Sequence, residues 1–386
     1  MSWIKRKLSD VSRIGDGAHA SLKRIELGIP YLTAKNITKS GIDISNLEYI
    51  SEETYEKHFK EKSNALTRPQ KDDILYSIIG SIGGVYVVRE EKIGISSSVA
   101  IFRANNEIIM PQYMAYFLKS PAFDAQVQAI RGGVAQGFLS LSKLGMIDIF
   151  FPENVDYQSK IVNVLSKYDD LIENNQKQIK LLEEAAQRLY KEWFVDLRFP
   201  GYEKCQIVDG VPEGWEKSCL GDFAPFKRGK TITKAQVKSG SVPVVAGGLE
   251  PAYFHNESNT TAPVITVSGS GANAGFARLY NVDVFASDCS FIDSKASPYI
   301  YFIYCYIKEN KATLDSLQKG AAQPHVYAKD INALRIIVPN ADILKRFCLS
   351  VSLYFKTIKA LQEQNEILSE ARNRLLPKLM NGEIEV

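Results

Sequence analysis

One glycine-rich stretch carries residues in a spacing that can hold a phosphate. Residues 264–279 read VITVSGSGANAGFARL, and Gly269 to Ala274 match the pattern G-x-G-x-x-G/A. In dinucleotide-binding folds this loop lies against the pyrophosphate, and an acidic side chain about twenty residues later binds the ribose. Asp288 stands at about that distance. A pyrophosphate loop also needs a helix after it, because the helix N-terminus binds the anion.

The residues that follow this loop predict a strand rather than a helix. Gly275 to Leu279 read GFARL, and a similar stretch in the first half of the chain, Asp73 to Val88, places a β-prone run on each side of Gly80 to Gly84. We therefore interpret both loops as connections between strands. Glycine there allows unusual dihedral angles or a close approach of backbone.

Other catalytic signatures are incomplete or absent. Asp73 with Glu90-Glu91-Lys92 loosely imitates the D…E-x-K pattern of nucleases, but Glu90 to Lys92 lie between two apolar, β-prone runs and are typical of a charged hairpin turn. The sequence has no Walker A pattern and no N/D-P-P-Y/F of an amino-methyltransferase. We predict no metal site in this chain, since the histidines are isolated from one another: His19, His58, His255 and His325. The missing motifs count against catalysis but do not exclude it.

Length and composition are those of an ordinary protein with room for two domains. The chain has 386 residues, of which 45% are hydrophobic and 24% charged. No run of about 18 apolar residues predicts a membrane-spanning helix, and Met1 to Lys7 lack the apolar stretch of a signal peptide. Five scattered cysteines without a C-x-x-C pair indicate a reducing compartment. We therefore expect a cytoplasmic protein with no membrane partner.

The net charge of +3 is distributed unevenly. Residues 1–39 contain eight lysines and arginines against three acids, and Lys227, Arg228 and Lys230 form a second basic cluster. Residues 153–196 lean acidic instead. Basic surface of this kind favours a nucleic-acid partner, although an ordinary solvated surface explains the same charges.

The second half of the chain reads as a diverged copy of the first. Residues 166–189 align without a gap with residues 352–375, with identities that include the pairs Leu182/Leu368 and Arg188/Arg374. Upstream, the offset grows by one residue and aligns the other shared stretches: Gly133-x-Ala135-Gln136 with Gly320-x-Ala322-Gln323, and Pro152 with Pro339. The starts of the two halves, Trp3 to Gly17 and Trp215 to Gly229, also agree.

Each copy ends in a long predicted helix with an apolar seam. The seam positions step alternately by four and three residues, as in a coiled coil. Each helix covers about 33 residues, or roughly 50 Å, and needs a partner to bury its seam. We predict that the two helices pair within the chain, with a coiled coil to another chain as the alternative. Asn175 and Asn365 interrupt the seams at different levels and are expected to fix register. The predicted seam residues are Ile161, Leu165, Tyr168, Ile172, Ile179, Leu182, Leu189, Phe347, Val351, Tyr354, Ile358, Leu361, Leu368 and Leu375.

The glycine loops, the internal repeat and the long helices follow one another in an order that resembles the specificity subunit of a type I restriction–modification system. The resemblance covers nearly the whole chain. Each motif alone is weak, but the ordered and duplicated set is specific. One departure is that the first half opens at Trp3 without the Pro-x-Gly that precedes Trp215, as expected of a trimmed N-terminus. Besides the glycine loops, the resembling motifs are Gly132-Gly133-x-x-Gln136, Lys319-Gly320-x-x-Gln323, Leu181 to Leu189, Trp193 to Tyr202, and Val211-Pro212-Glu213-Gly214-Trp215.

The resemblance implies an α+β fold with a pseudo-two-fold internal repeat. Two α/β target-recognition domains are joined by two long helices that form an intramolecular antiparallel coiled coil. The implied limits are 1–152 for the first domain, 153–197 for the central spacer helix, 198–339 for the second domain with its entry linker, and 340–386 for the C-terminal helix and tail.

The resemblance also implies a function. Each domain of such a subunit reads one half of a split site in double-stranded DNA. The helices set the spacing, which is about 15 base pairs for roughly 50 Å, and dock two methyltransferase subunits; restriction/translocase subunits join the complex. The chain itself is implied to be non-catalytic and without a cofactor, and S-adenosylmethionine is expected in the methyltransferase subunit. Because the two domains share little sequence outside scaffold-like positions, we predict an asymmetric DNA site.

Two matching loops provide the first candidates for DNA contact. Gln136 and Gln323 lie in these Gly-flanked loops, and a Gln can bind adenine with two hydrogen bonds, although each can also cap a turn. Arg131 and Lys319 precede the glycines and suit contact with phosphate.

The remaining candidates lie in the basic cluster and in the glycine loops. Lys227, Arg228 and Lys230 suit phosphate contact, with a solvated surface as the alternative. Tyr76, Tyr86 and Phe276 are instead expected in the core. Three polar side chains of the glycine loops can reach a base edge or only shape the turn: Ser81, Ser270 and Asn273.

Two interpretations from other classes remain open. One is a coiled-coil adaptor whose paired domains bind protein without sequence-specific DNA binding. The other is a DNA enzyme whose active site follows no familiar motif.

Overall fold

A computed structural model of the chain describes residues 2–38, 41–44, 47–61, 63, 65–80, 82–131, 139–318 and 324–386. The chain forms two compact units. Unit 1 consists of Met1–Glu173 and Glu366–Val386, and unit 2 of Asn174–Asn365. No helix in the described part of the chain is long and apolar enough to cross a membrane.

The described residues of unit 1 form four small sheets and five short helices. Its largest sheet has the strand order β2-β10-β7-β8, and a three-stranded sheet has the order β6-β3-β9. The strands β1 to β11 are Trp3–Lys7, Ser12–Asp16, Ile29–Leu32, Ile37–Thr38, Gly41–Ile42, Glu48–Ile50, Ile74–Ser77, Val85–Val87, Gly94–Ile95, Val99–Ala104 and Asp148–Pro152. The helices α1 to α5 are Leu8–Val11, Glu52–His58, Pro111–Leu118, Pro121–Arg131 and Leu141–Gly145.

Local sequence explains several of these elements. All four residues of β7, Ile-Leu-Tyr-Ser, are buried, as expected of a central strand covered on both faces. Helix α2 begins where the Ser51 hydroxyl accepts a hydrogen bond from the backbone N–H of Thr54, and α5 begins at Ser140 in the same way. Pro111 stands in the first turn of α3, where the missing N–H costs nothing.

Unit 2 repeats this plan. Its four-stranded sheet has the order β15-β21-β18-β19, and its three-stranded sheet the order β17-β16-β20. The strands β12 to β22 are Ile207–Val208, Val211–Pro212, Glu216–Cys219, Lys227–Arg228, Val242–Val245, Tyr253–His255, Val264–Ser268, Ala277–Tyr280, Phe285–Ala286, Cys289–Asp293 and Arg335–Val338. The helices α7 to α10 are Leu220–Phe223, Ile300–Glu309, Lys311–Ser316 and Ala328–Asn332.

The topology of the sheets bears out the internal repeat. In each four-stranded sheet the strand before the glycine loop lies between two antiparallel neighbours, one of which follows the loop. In each three-stranded sheet one pair is antiparallel and the other parallel. The pairs β1–β11 and β14–β22 also correspond, since each joins the start of a half to the strand before a long helix. The two halves therefore share one fold.

Two long helices contribute residues to both units. Helix α6 is Val155–Tyr190 and passes into a π-helical turn, Lys191–Val195, while helix α11 is Ala341–Met380. The units divide within these helices, after Glu173 and after Asn365. This division does not test the predicted domain limits at residues 152, 197 and 339, which stay predictions. None of the fourteen predicted seam residues is exposed, and five are buried: Ile161, Leu165, Phe347, Val351 and Ile358.

In unit 1 the first part of α6 packs against the last part of α11. Ile161 and Leu165 share one buried cluster with Leu376 and Leu379. The Arg372 guanidinium donates to Asp169, and the backbone N–H of Val386 donates to the Tyr157 hydroxyl at 3.1 Å. Since residue numbers rise on one segment as they fall on the other, the packing is antiparallel.

In unit 2 the later part of α6 packs in the same sense against the first part of α11. Tyr190 lies 6.1 Å from Phe347 between ring centroids, and the Asn175 carboxamide donates to Asn365 Oδ1 at 2.9 Å and to Gln364 Oε1 at 3.0 Å. Asn175 and Asn365 stand at different levels of their seams in the sequence repeat, yet the antiparallel arrangement brings their side chains together. The intramolecular pair that the sequence predicts is thus present in each unit.

Each sheet domain is fastened to its own helix segments, but by different chemistry. In unit 1 the Tyr116 hydroxyl donates to Asp169 at 2.7 Å, and Arg89 donates to both carboxylate oxygens of Glu173. Burial raises the pKa of Tyr116, so this hydroxyl stays protonated as a donor. In unit 2 the rings of Tyr301 and Phe355 stack at 4.4 Å with their planes 5° apart.

A buried ion pair fixes the start of β7. Asp73 is 2% exposed, and its Oδ1 and Oδ2 accept from Arg103 Nε at 2.8 Å and Nη2 at 2.7 Å. Oδ2 also accepts from the backbone N–H of Gln70 at 2.8 Å. Because Arg103 lies on β10, the carboxylate joins the entry of β7 to its neighbouring strand.

Replacement of Asn175 by alanine should lower the free energy of unfolding by about 1–3 kcal/mol, since two hydrogen bonds at a buried position are lost. Asn174→Ala is the matched control, because Asn174 is the exposed neighbour on the same helix. Thermal unfolding followed by circular dichroism measures both. Equal melting temperatures for the two variants would contradict the role of the Asn175 carboxamide.

Replacement of Asp73 by alanine should lower the free energy of unfolding by about 3 kcal/mol, because Arg103 is left without its buried partner. This value is at the low end for a broken buried ion pair, since the Arg103 side chain is 27% exposed and water can still solvate part of its charge. The control is Glu107→Ala, which removes an exposed carboxylate of the same unit. Chemical denaturation measures the difference, and a loss no larger than that of the control would sink this prediction.

Candidate nucleic-acid interface

The glycine loop of unit 2 joins two antiparallel strands. It leaves β18 after Ser268, forms a single 3₁₀ turn over Gly271–Asn273, and enters β19 at Ala277. Gly271 and Gly275 have φ angles of +77° and +84°, which side-chain-bearing residues rarely adopt. In unit 1 the corresponding loop likewise leads from β7 into β8. A strand therefore follows each loop, as the sequence predicts, and the described residues of the two loops do not present the helix N-terminus that a pyrophosphate site requires.

The segment before α10 lies directly alongside this loop. The backbone N–H of Gly271 donates to the carbonyl of Pro324, and that of Val326 donates to the carbonyl of Gly269, both at 3.1 Å. In unit 1 the backbone N–H of Leu139 donates to the carbonyl of Ile78 in the same manner, at 3.4 Å. The structure thus brings together two regions that the sequence nominated separately: the glycine loops and the segments that end the Gln-containing loops.

Four of the nominated residues lie outside the described part of the chain: Ser81, Gln136, Lys319 and Gln323. Arg131 is the last residue of α4, and its Nε is buried without a hydrogen-bond partner among the described residues. Contact of these five residues with DNA stays a prediction.

Ser270 and Asn273 both hold the shape of the glycine loop. The Ser270 hydroxyl donates to Asp288 at 2.6 Å, and the Asn273 carboxamide donates to the carbonyl of Gly247 at 3.4 Å. Ser268 donates to the same carbonyl at 3.0 Å. Of the two roles that the sequence leaves open for these side chains, the geometry supports the shaping of the turn.

The three basic candidates do not form one flat patch. Lys227 and Arg228 are consecutive on β15, an edge strand, so their side chains point to opposite faces of the sheet. Lys230 follows the strand, where its backbone N–H donates to the carbonyl of Ala286. All three are exposed, and none forms an ion pair within the described ranges. Their charges are therefore uncompensated around this sheet edge.

Sequence reasoning missed the exposed apolar side chains beside the loop. Phe276, which we expected in the core, is 38% exposed, and Leu249 is 40% exposed. On the other flank the rings of His325 and Tyr327 stack at 5.8 Å with planes 10° apart, and Tyr327 is 39% exposed. The only sequence signal is the adjacency of Phe276 and Leu249 to glycines, which indicates a turn but not exposure.

The nuclease-like residues are separated into different contacts. Asp73 is bound by Arg103, Glu90 by Lys71, and Glu91 by the Tyr86 hydroxyl. The interpretation of Glu90 to Lys92 as a hairpin turn is wrong, because β8 pairs with β7 whereas β9 pairs with β3 in another sheet. Glu90, Glu91 and Lys92 therefore lie in the connection between two different sheets.

Other reactive groups are placed as structural residues. Burial raises the pKa of the Cys289 thiol to about 12 and that of the Cys348 thiol to about 11, so both stay protonated. No group of three or more His, Cys, Asp or Glu in the described ranges could hold a metal ion.

Comparison with known proteins connects this geometry to a family. The chain is 28% identical to the type I restriction enzyme MjaIX specificity subunit of Methanocaldococcus jannaschii, an alignment that covers 100% of this chain and 94% of that protein. It is 23% identical to the type I restriction enzyme HindI specificity subunit of Haemophilus influenzae, over 82% of this chain and 87% of that protein.

A solved structure has the same fold. The S subunit of a type I restriction–modification system from M. genitalium matches with a TM-score of 0.53 at 19% identity, covering 98% of this chain and 96% of that one. The sequence model of the family described as "Type I restriction modification DNA specificity domain" matches residues 2–184 and again residues 212–369. The matches fall once in each half of the repeat and together cover most of the chain, which therefore belongs to the type I restriction–modification DNA specificity family.

Proposed function

We propose that this chain is the sequence-specific DNA-recognition subunit of a type I restriction–modification complex and that it reads a bipartite, asymmetric site. The observation that carries the proposal is the duplication of the family's domain within one chain. Each copy contains the same four-stranded sheet with a glycine loop between two of its strands. Two copies of a recognition domain suit two half-sites.

The asymmetry of the proposed site is supported by equivalent positions that carry opposite chemistry. Gly17 and Gly229 are equivalent, because the backbone N–H of each donates to the first residue of the neighbouring strand, Val99 or Cys289. The residues just before them are Asp16 in unit 1 and Arg228 in unit 2. The residues just after them are Ala18 and Lys230. A phosphate would be attracted to Arg228 and Lys230 but not to Asp16 and Ala18, so we propose that the two halves contact DNA differently here.

Exposed apolar side chains on the long helices support protein partners for this chain. In unit 2, Leu181, Leu349 and Leu353 are 63%, 65% and 66% exposed, although they lie on the long helices. Leu349 and Leu353 are four residues apart and share one face of α11. Exposed apolar side chains in this number favour a protein partner. We propose that the helices bind two methyltransferase subunits, one for each copy of the repeat, and that restriction/translocase subunits join that assembly.

The division of labour follows from this assignment. We propose that S-adenosylmethionine binds to the methyltransferase subunits and that this chain contributes recognition rather than catalysis. The complex is proposed to act in the cytoplasm, where bacterial and archaeal DNA lies.

Selection of DNA by the assembled complex tests the proposal. When the chain is co-expressed with the methyltransferase subunit from its own genome, duplexes bound from a random library should share one split, asymmetric motif with a fixed gap. Exchange of residues 1–152 for those of a relative should change only one half of that motif, because each domain reads its own half-site. High-throughput sequencing of the bound pool measures both outcomes. A soluble, assembled complex that enriches no motif would refute DNA recognition and favour the protein-adaptor alternative.

The basic residues of β15 should contribute affinity without sequence preference. Replacement of Lys227, Arg228 and Lys230 by alanine should weaken binding to all duplexes and reduce the salt dependence, log Kd against log salt, by about 0.9 per lost phosphate contact. Lys311→Ala is the control, since Asp315 already binds that ammonium. Fluorescence anisotropy at several salt concentrations gives the slopes, and an unchanged slope for the triple variant would remove these residues from the interface.

A further inference from the structure

Phe276 carries an apolar ring on a stretch of backbone that is fixed at the edge of the glycine loop. Its backbone N–H donates to the carbonyl of Asn273 at 3.0 Å, and its carbonyl accepts from the N–H of Ser268 at 2.9 Å. Both backbone groups are therefore fixed by the loop and by β18, while the side chain remains 38% exposed. The backbone that carries the ring therefore loses little conformational entropy when the ring binds a ligand.

Leu249 is a second exposed apolar residue, on a segment that is tied to the glycine loop. The Arg278 guanidinium donates to the carbonyl of Leu249, and Gly248 lines the same shallow depression as Phe276 and Arg278. The preceding glycine, Gly247, accepts hydrogen bonds from Ser268 and Asn273. The segment that carries Leu249 is thus tied to the glycine loop at several points, and Leu249 itself is 40% exposed.

We propose that Phe276, with Leu249 beside it, contacts the 5-methyl group of a thymine in the half-site read by unit 2. The inference rests on the proposed function. The side chain of phenylalanine has no hydrogen-bonding atom, so it cannot distinguish the donors and acceptors of the bases. The feature of a base edge in the major groove that an apolar side chain can distinguish is the thymine methyl group. Arg278, at the margin of the same depression, suits a neighbouring phosphate.

Unit 1 cannot present a ring at the equivalent place. Gly84 precedes β8 as Phe276 precedes β19, and a Cβ built on Gly84 would lie 1.9 Å from the carbonyl oxygen of Ile37. The exposed apolar residue of the unit 1 loop is Ile79 instead, which is 40% exposed and stands before Gly80. The contact by Phe276 therefore belongs to one half-site only, and Ile79 offers a matched control in the other unit.

Deletion of single methyl groups from the DNA tests the proposal. Once the motif has been selected with the assembled complex, each thymine in it is replaced in turn by deoxyuridine, which lacks only the 5-methyl group. At one position of the half-motif that depends on unit 2, the affinity of the unmodified complex should fall about four-fold, as expected for loss of one buried methyl group. In the Phe276→Ala variant, thymine and uracil should bind alike at that position.

Two further variants separate this contact from a general loss of structure. Phe276→Tyr retains the ring and should retain the methyl effect, and Ile79→Ala should leave that position of the motif unchanged. A full methyl effect in Phe276→Ala, or a half-motif in which no thymine is sensitive, would overturn the proposal while leaving DNA recognition intact. Failure to select any motif would instead refute the proposed function itself.

Discussion

The apolar seam of each long helix is buried by the other half of the chain, and this constraint organises both units. In unit 1 the residues near Ile161 are covered by Leu376, Leu379 and Met380, which follow more than two hundred positions later. A buried aliphatic side chain contributes about 1.5–3 kcal/mol, and none of these contacts forms until the C-terminal segment has docked. Unit 1 is for this reason discontinuous in sequence. The Asn175 carboxamide specifies the register of the antiparallel pair, because its hydrogen bonds to Gln364 and Asn365 form in one register.

Within the shared fold, both halves keep a glycine at one position that faces backbone, Gly17 in unit 1 and Gly229 in unit 2. A Cβ at Gly17 would lie 2.1 Å from the carbonyl oxygen of Ile95, and one at Gly229 would lie 2.3 Å from that of Ser287. No side chain fits at either place, so both halves retain glycine. The residues on either side differ in charge: Asp16 and Ala18 in unit 1, Arg228 and Lys230 in unit 2. The same logic separates Gly84, which is confined by backbone, from the exposed ring of Phe276.

Polar residues near the glycine loop of unit 2 serve mainly to hold the loop. Ser270 donates a hydrogen bond to Asp288, and Asn273 and Ser268 donate to the carbonyl of Gly247. The exposed side chains beside the loop are instead the apolar ones, Phe276 and Leu249. A sequence search for polar residue types that contact DNA selects these polar residues. It passes over the exposed apolar residues Phe276 and Leu249. The burial of an individual side chain depends on segments far away in the chain, and Leu249 reaches the neighbourhood of Phe276 only through folding.

The sequence by itself determined the repeat, the two long helices, the strand after each glycine loop and the absence of a helix for a pyrophosphate. These features follow from period, glycine placement and self-similarity, which are local or internal to the chain. The tertiary structure alone decided the partners: Asn175 meets Asn365 although their seams place them at different levels, and β8 and β9 enter different sheets although their spacing is typical of a hairpin. It also separated Lys227 from Arg228 by the alternation of a strand. The physical reason is that a residue pattern encodes which face of an element is apolar, whereas the choice of what covers that face depends on long-range packing.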